Sequence, residues 1–171
     1  MLVEYIFIVS VILALLLAAY AAWSDLKSLT IPNWISLGIC LLFPVAVVFS
    51  PQEINWLWSV AVFTGVLCVG FCLFAIGALG GGDIKLLAAL SLWAGLSGIF
   101  PFLLTTVLAG GGLVIIIVIS HALKRTSIES GFLINLRNAI RADLSVPYGV
   151  AIALGSITIF YHYALLSNLI K

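Results

Sequence analysis

Apolar residues fill six stretches of the chain, about 3–23, 35–49, 54–79, 84–99, 102–123 and 146–166, and polar residues gather in the gaps. Each stretch predicts a helix that crosses a membrane or dips into it. A crossing needs roughly 17–25 residues, so the second and fourth stretches are short. By length alone either is a span or a re-entrant segment, and charge has to separate the two.

With six crossings, loops 24–34, 80–85 and 124–145 share one side and carry Lys27, Lys85, Lys124, Arg125, Arg137 and Arg141. The other side carries only Lys171. Basic residues accumulate on the cytoplasmic side, so the asymmetry predicts six transmembrane helices with the N-terminus and the C-terminus outside. Without the fourth crossing, the four basic residues of loop 124–145 would move outside and the asymmetry would vanish. Aromatic residues agree in part. Tyr5, Trp56, Trp58, Trp93, Tyr161 and Tyr163 fall toward the outer face, and Trp23, Trp34 and Tyr148 toward the inner.

Composition points the same way. Hydrophobic residues make up 64% and charged residues 8%, against about 45–50% and about 25% in soluble domains. Lipid must cover that surface. The expectation is an all-α, polytopic membrane bundle forming a single membrane-embedded domain over residues 1–171, with no soluble appendage. The net charge of +1 argues against a nucleic-acid partner. The first stretch carries Glu4 and no basic n-region, so it reads as a membrane helix rather than a cleavable signal peptide.

The last basic loop holds Leu133, Leu136, Ile140 and Leu144 on one stripe, with Asn135, Arg137, Asn138 and Arg141 largely away from it. This predicts an interfacial amphipathic helix lying on anionic headgroups, or one packed on the inner end of the bundle. Gly65, Gly70 and Gly77, and the run Gly110-Gly111-Gly112, read as sites of close helix approach. Cys40, Cys68 and Cys72 read as buried apolar thiols. His121 and His162 stand at opposite ends of the bundle, so no metal is expected. Glu129 and Asp143 read as exposed loop carboxylates.

Two acidic residues do not fit a structural reading. Asp25 ends the first apolar stretch, and Asp83 closes Gly80-Gly81-Gly82-Asp83 and is followed by Ile84-Lys85. Ionisable groups at the edge of hydrocarbon are costly, which marks them as functional. The predicted topology puts both on the cytoplasmic side at similar depth. Two close carboxylates cannot easily both ionise, so one holds a proton, as peptide hydrolysis by an acid–base pair requires. The glycines before Asp83 either let an extended peptide lie against the backbone or simply form a tight turn.

Asp25 followed by Ile31-Pro32-Asn33, then Gly80-x-Gly82-Asp83-x-Lys85, then Val146-Pro147-Tyr148-Gly149, together resemble the type IV prepilin peptidases, membrane aspartic proteases of the GxGD kind. The motifs lie in matching order on the first, fourth and sixth stretches, and the size resembles the short Flp/Tad-type form. The resemblance implies an endopeptidase of the bacterial inner membrane that removes the cytoplasmic leader from prepilins or pilin-like proteins with an apolar N-terminal helix. It implies Asp25 and Asp83 as the catalytic pair and no cofactor. Gly80, Gly81, Gly82, Pro147, Tyr148 and Gly149 are candidates for substrate contact, and Ser24, Lys27, Pro32, Asn33 and Lys85 for support. Larger relatives carry a cysteine-bearing cytoplasmic segment and also methylate the new N-terminus. This chain lacks that segment between its first helices, which implies no N-methyltransferase activity.

Asp83 opens a helix, where the dipole favours negative charge by about 0.3–1 kcal/mol, and Asp25 is expected to follow a helix end, where it disfavours charge. This predicts Asp83 as the resting base and Asp25 as the resting acid. Two other classes remain open. Paired acids also mark proton- or ion-coupled carriers, although carriers bind near the midplane. In a non-catalytic pilus assembly protein the aspartates would pair with Lys27 or Lys85.

Overall fold

The structure, a computed structural model, describes residues 2–124 and 146–168. Five helices account for nearly all of them: α1 (Leu2–Ser28), α2 (Asn33–Phe49), α3 (Trp56–Ala75), α4 (Gly81–Lys124) and α5 (Tyr148–Asn168). Among the described residues there is no strand. The stripe at 133–144, Glu129 and Asp143 lie outside the described residues.

Local chemistry sets the helix ends. Ile31 precedes Pro32, and the residue before a proline is disfavoured in helical conformation, so α1 must stop by then. It stops at Leu29, whose φ of 52° is left-handed and whose N–H still reaches Asp25 O at 2.8 Å. Asn55 opens α3 by accepting the Trp58 N–H at 3.4 Å. Gly77, at φ 73°, closes it. The Gly77 N–H bonds Phe74 O and the Ala78 N–H bonds Leu73 O, both at 2.9 Å, a Schellman ending.

The fourth and fifth apolar stretches form two helical limbs joined directly at a kink. The sequence places their boundary at Phe100-Pro101, yet the helix continues through Pro101 and breaks at Gly95, with φ 57° and ψ −169°. Only glycine reaches that region without strain. The two limbs are 81–94 and 96–124.

Leu2–Ser28, Trp56–Ala75 and Gly81–Ser120 are long and apolar enough to cross a membrane. α2 and Tyr148–Ile159 are apolar but shorter. Three such helices among the described residues stand against six predicted crossings. The difference arises because α2 and Tyr148–Ile159 are shorter than a crossing and because the two limbs of α4, joined directly at Gly95, count as a single helix.

The core lies between α1, α2, the first limb of α4 and α5. α4 packs against α2, α3 and α5, and α1 against α2 and α5. On α1 the buried positions are Ser10 and the series Phe7, Val11, Ala14, Ala18, Ala21 and Asp25. The series is spaced by alternating steps of four and three, which places it on one helix face. The three alanines let neighbouring helices approach closely. Trp93 fills the centre, its Nε1–H donating to Ile39 O at 3.0 Å and its ring edge-on to Phe43 at 5.8 Å.

α3 packs mainly along α4, and only Ser59 and Gly70 of it are buried. Gly70 admits the Ile84 side chain where a Cβ would collide with it. Cys68 and Cys72 are exposed and Cys40 is half-buried. The reading of Cys68 and Cys72 as buried thiols is therefore corrected, because α3 offers only one narrow face to the protein, while Cys40 on α2 is partly covered.

Candidate active site

Asp25 is the last position of the buried α1 stripe and only 5% exposed. A carboxylate this buried needs a partner. It finds one on α5, where the Gly149 N–H donates to Asp25 Oδ2 at 2.7 Å. Gly149 is the second residue of that helix, and the first N–H groups of a helix have no partner within it. Asp25 thus caps α5 from another helix. A Cβ at position 149 would stand 2.9 Å from Asp25 Oδ2 and 3.0 Å from Asp25 Cβ, so this approach requires glycine.

Asp83 is the third residue of α4 and half-buried. Its carboxylate turns back to accept the backbone N–H of Gly80, the position just before the helix. This is one half of a capping box. A Cβ on Gly80 would come to 2.8 Å from Asp83 Oδ2. The two carboxylates lie near enough for the charge of Asp25 to act on Asp83.

One correction concerns where α1 ends relative to Asp25. α1 runs through Asp25 to Ser28, and the Asp25 carboxylate faces the N-terminal end of α5. Both aspartates therefore meet the positive end of a helix dipole. The start of α5 thus offsets the C-terminal dipole of α1 at Asp25, which weakens the dipole argument for Asp83 as base and Asp25 as acid.

Ile31 joins the two halves of the site. A Cβ on Gly82 would stand 3.2 Å from Ile31 Cβ, and one on Gly149 would stand 3.0 Å from Ile31 Cδ1. This side chain is wedged between the starts of α4 and α5. The sequence shows it within Ile31-Pro32-Asn33, but its bulk marks it for packing and nothing in the motif says against what. Gly81 is less confined, since its Cβ would meet only the Phe74 ring at 3.5 Å.

The supporting candidates divide. Lys85 Nζ donates to Asn33 Oδ1 at 2.9 Å and ties the start of α4 to the start of α2. Lys27 Nζ lies over the Trp23 ring, 5.1 Å from its centroid. Ser24 Oγ donates to Thr30 O at 2.9 Å, so it holds the loop after α1. Ser28 bonds Ser24 O at 2.9 Å and Thr30 Oγ1 at 2.8 Å in the same loop. Pro32 precedes α2 as its N-cap in extended conformation. Pro147 O accepts the Val150 N–H at 3.3 Å, which opens α5. The Tyr148 ring packs on Gly110 of the second α4 limb, at 3.7 Å from the place a Cβ would take there.

A cross-helix pair of carboxylates, Asp25 buried and Asp83 half-buried, at one end of an apolar helical bundle defines a class, helical proteins of membrane-span character with two acids brought together. The sequence model of the type IV leader peptidase family matches residues 11–115, which is more than half of the chain. The chain belongs to the type IV leader peptidase family. Both aspartates fall inside the matched region; Gly149 lies beyond it. The chain is also 34% identical over 96 residues to the prepilin peptidase EppA of Methanothermobacter thermautotrophicus strain Delta H. That stretch is 53% of this chain and 25% of the relative, so the chain matches about a quarter of that protein's length. No solved structure matches.

Proposed function

We propose that this chain is a membrane aspartic endopeptidase that removes the leader peptide from prepilins or pilin-like proteins, with residues 1–171 as one peptidase domain. The observation that carries the reading is the convergence of Asp25 and Asp83 from α1 and α4 at one end of the bundle, near enough to interact. One carboxylate takes a proton from water, which attacks the scissile carbonyl carbon. The other gives its proton to the carbonyl oxygen. Collapse of the tetrahedral intermediate breaks the C–N bond, and the amine leaves with a proton returned from the dyad.

The substrate's apolar helix sits in lipid and its polar leader extends into the cytoplasm. The basic residues of loops 24–34, 80–85 and 124–145 favour a six-crossing arrangement with the dyad at the cytoplasmic face of the inner membrane. Four residues, 29–32, join α1 to α2. They leave no room there for a cysteine-bearing segment, which favours a peptidase without N-methyl transfer.

Two observations weigh against the other classes. Lys27 and Lys85 engage Trp23 and Asn33, whereas an assembly protein would use them to neutralise the aspartates. The dyad stands at helix ends, whereas carriers bind near the midplane.

Co-expression with a prepilin tests the reading. Leader removal is expected from the parent chain and is expected to be lost in Asp25→Asn and in Asp83→Asn, with both variants still in the membrane. Processing that survives either substitution rejects the aspartic mechanism.

A further inference from the structure

A second feature lies at the far end of the bundle. From Phe7 to Asp25 is about 27 Å of helix at 1.5 Å per residue. Beside Phe7 a cleft of about 410 Å³ opens between the α2–α3 loop and the break in α4. Its lining includes Glu53 and the rings of Phe7, Trp58, Trp93 and Tyr163. Among its described lining residues there is no Lys or Arg.

Gly95 shapes this cleft. Because the first limb of α4 ends there, carbonyls of its last turn have no helical N–H to accept. One of them, Trp93 O, takes the Tyr163 hydroxyl proton at 2.9 Å. The second limb starts at the same break, so its positive dipole end offsets the negative end of the first. Gly95 lies close to α3, since a Cβ on it would stand 3.2 Å from Ser59 Oγ.

Two features of the lining thus have the same sign: an exposed carboxylate and a set of aromatic rings. Both attract a cation. A hard metal ion wants about six oxygen ligands in a tight shell, which a roomy cleft with one carboxylate does not offer. Aromatic walls with one acid suit an organic cation.

We propose that this cleft binds a primary or quaternary ammonium group, with Glu53 as its counter-ion and the aromatic rings around it. Such a group comes either from a lipid headgroup at that membrane surface or from a free amine in solution.

The test uses the full chain in nanodiscs of phosphatidylglycerol, titrated with ethanolamine and with tetramethylammonium at constant ionic strength. Tryptophan fluorescence reports on Trp58 and Trp93. A saturable change is expected, with sodium giving none. Glu53→Gln is expected to weaken binding about two- to fivefold, as loss of one solvent-exposed ion pair implies, and Glu53→Asp to restore most of it. Glu53 is exposed, so an unchanged melting temperature is expected to show that the Gln variant is folded. Binding that does not saturate, or that Glu53→Gln leaves intact, overturns the proposal. A final arm adds phosphatidylethanolamine to the nanodiscs. Competition with ethanolamine supports the site and assigns it to the headgroup; saturable binding that the lipid leaves unchanged supports it as a site for free amine.

Discussion

The backbone N–H of Gly149 donates to Asp25 Oδ2 at 2.7 Å, joining positions 124 residues apart. One hydrogen bond therefore satisfies a buried carboxylate and an otherwise open helix start together. It ties the proposed chemistry to the packing of α1 on α5.

Asp25→Asn keeps an oxygen that accepts from Gly149, whereas Asp25→Ala leaves that buried N–H unmet at about 1–3 kcal/mol. The Ala variant is expected to melt well below the Asn variant, although neither should process a prepilin. Thermal unfolding in detergent checks the difference. Equal melting temperatures would remove the capping role from Asp25.

Alanine at the site glycines is expected to act in a set order. Gly149→Ala puts its Cβ against Asp25 and Ile31 at 3.0 Å or less and should damage both stability and activity most. Gly80→Ala meets only the Asp83 carboxylate, at 2.8 Å and 3.7 Å, so activity should fall more than stability. Gly81→Ala meets nothing closer than 3.5 Å and gains helix propensity, so it should be tolerated. Melting temperature and leader removal, measured on all three, rank them. An inactive Gly81→Ala would instead place substrate against that residue.

Ile31→Ala should loosen the starts of α4 and α5 together. The expected cost is about 1–3 kcal/mol, below the full range for a buried isoleucine because Ile31 is half-buried. Turnover should fall with little change in KM, since the side chain acts through the aspartates, and Ile31→Val should recover most of it. A rise in KM alone would mean that Ile31 touches substrate.

Lys85 and Asn33 should be coupled. Each alanine variant is expected to cost about 0.5–1.5 kcal/mol, the net value of one hydrogen bond, and the double variant should cost less than their sum. A double-mutant cycle on unfolding free energy measures this. Strict additivity would show that the 2.9 Å contact contributes nothing.

Asp25 and Asp83 stood out in the sequence because charge is rare in this chain and each ended an apolar stretch. The protein-facing stripe of α1, positions 7–11–14–18–21–25, was not legible, since the exposed positions between them are as apolar. Nor was the break at Gly95. Pro101 gave the stronger local breaker signal, and whether a glycine takes a left-handed conformation depends on what packs around it. The links from Ile31 to Gly82 and Gly149 were equally hidden, because they join segments distant in the chain.

Periodicity, charge asymmetry and turn residues act over a few positions, so the order of the sequence was enough to show helices, an apolar surface and two misplaced acids. Which face of each helix meets protein and which meets lipid was settled only by folding. Lipid tails are as apolar as leucine, so hydrophobicity cannot tell the two faces apart. Cys68 and Cys72, apolar in sequence and exposed on α3, show that ambiguity. Asp25, polar in sequence and buried against Gly149, shows how packing resolves it: only close approach of two helices supplies the N–H that a buried carboxylate requires.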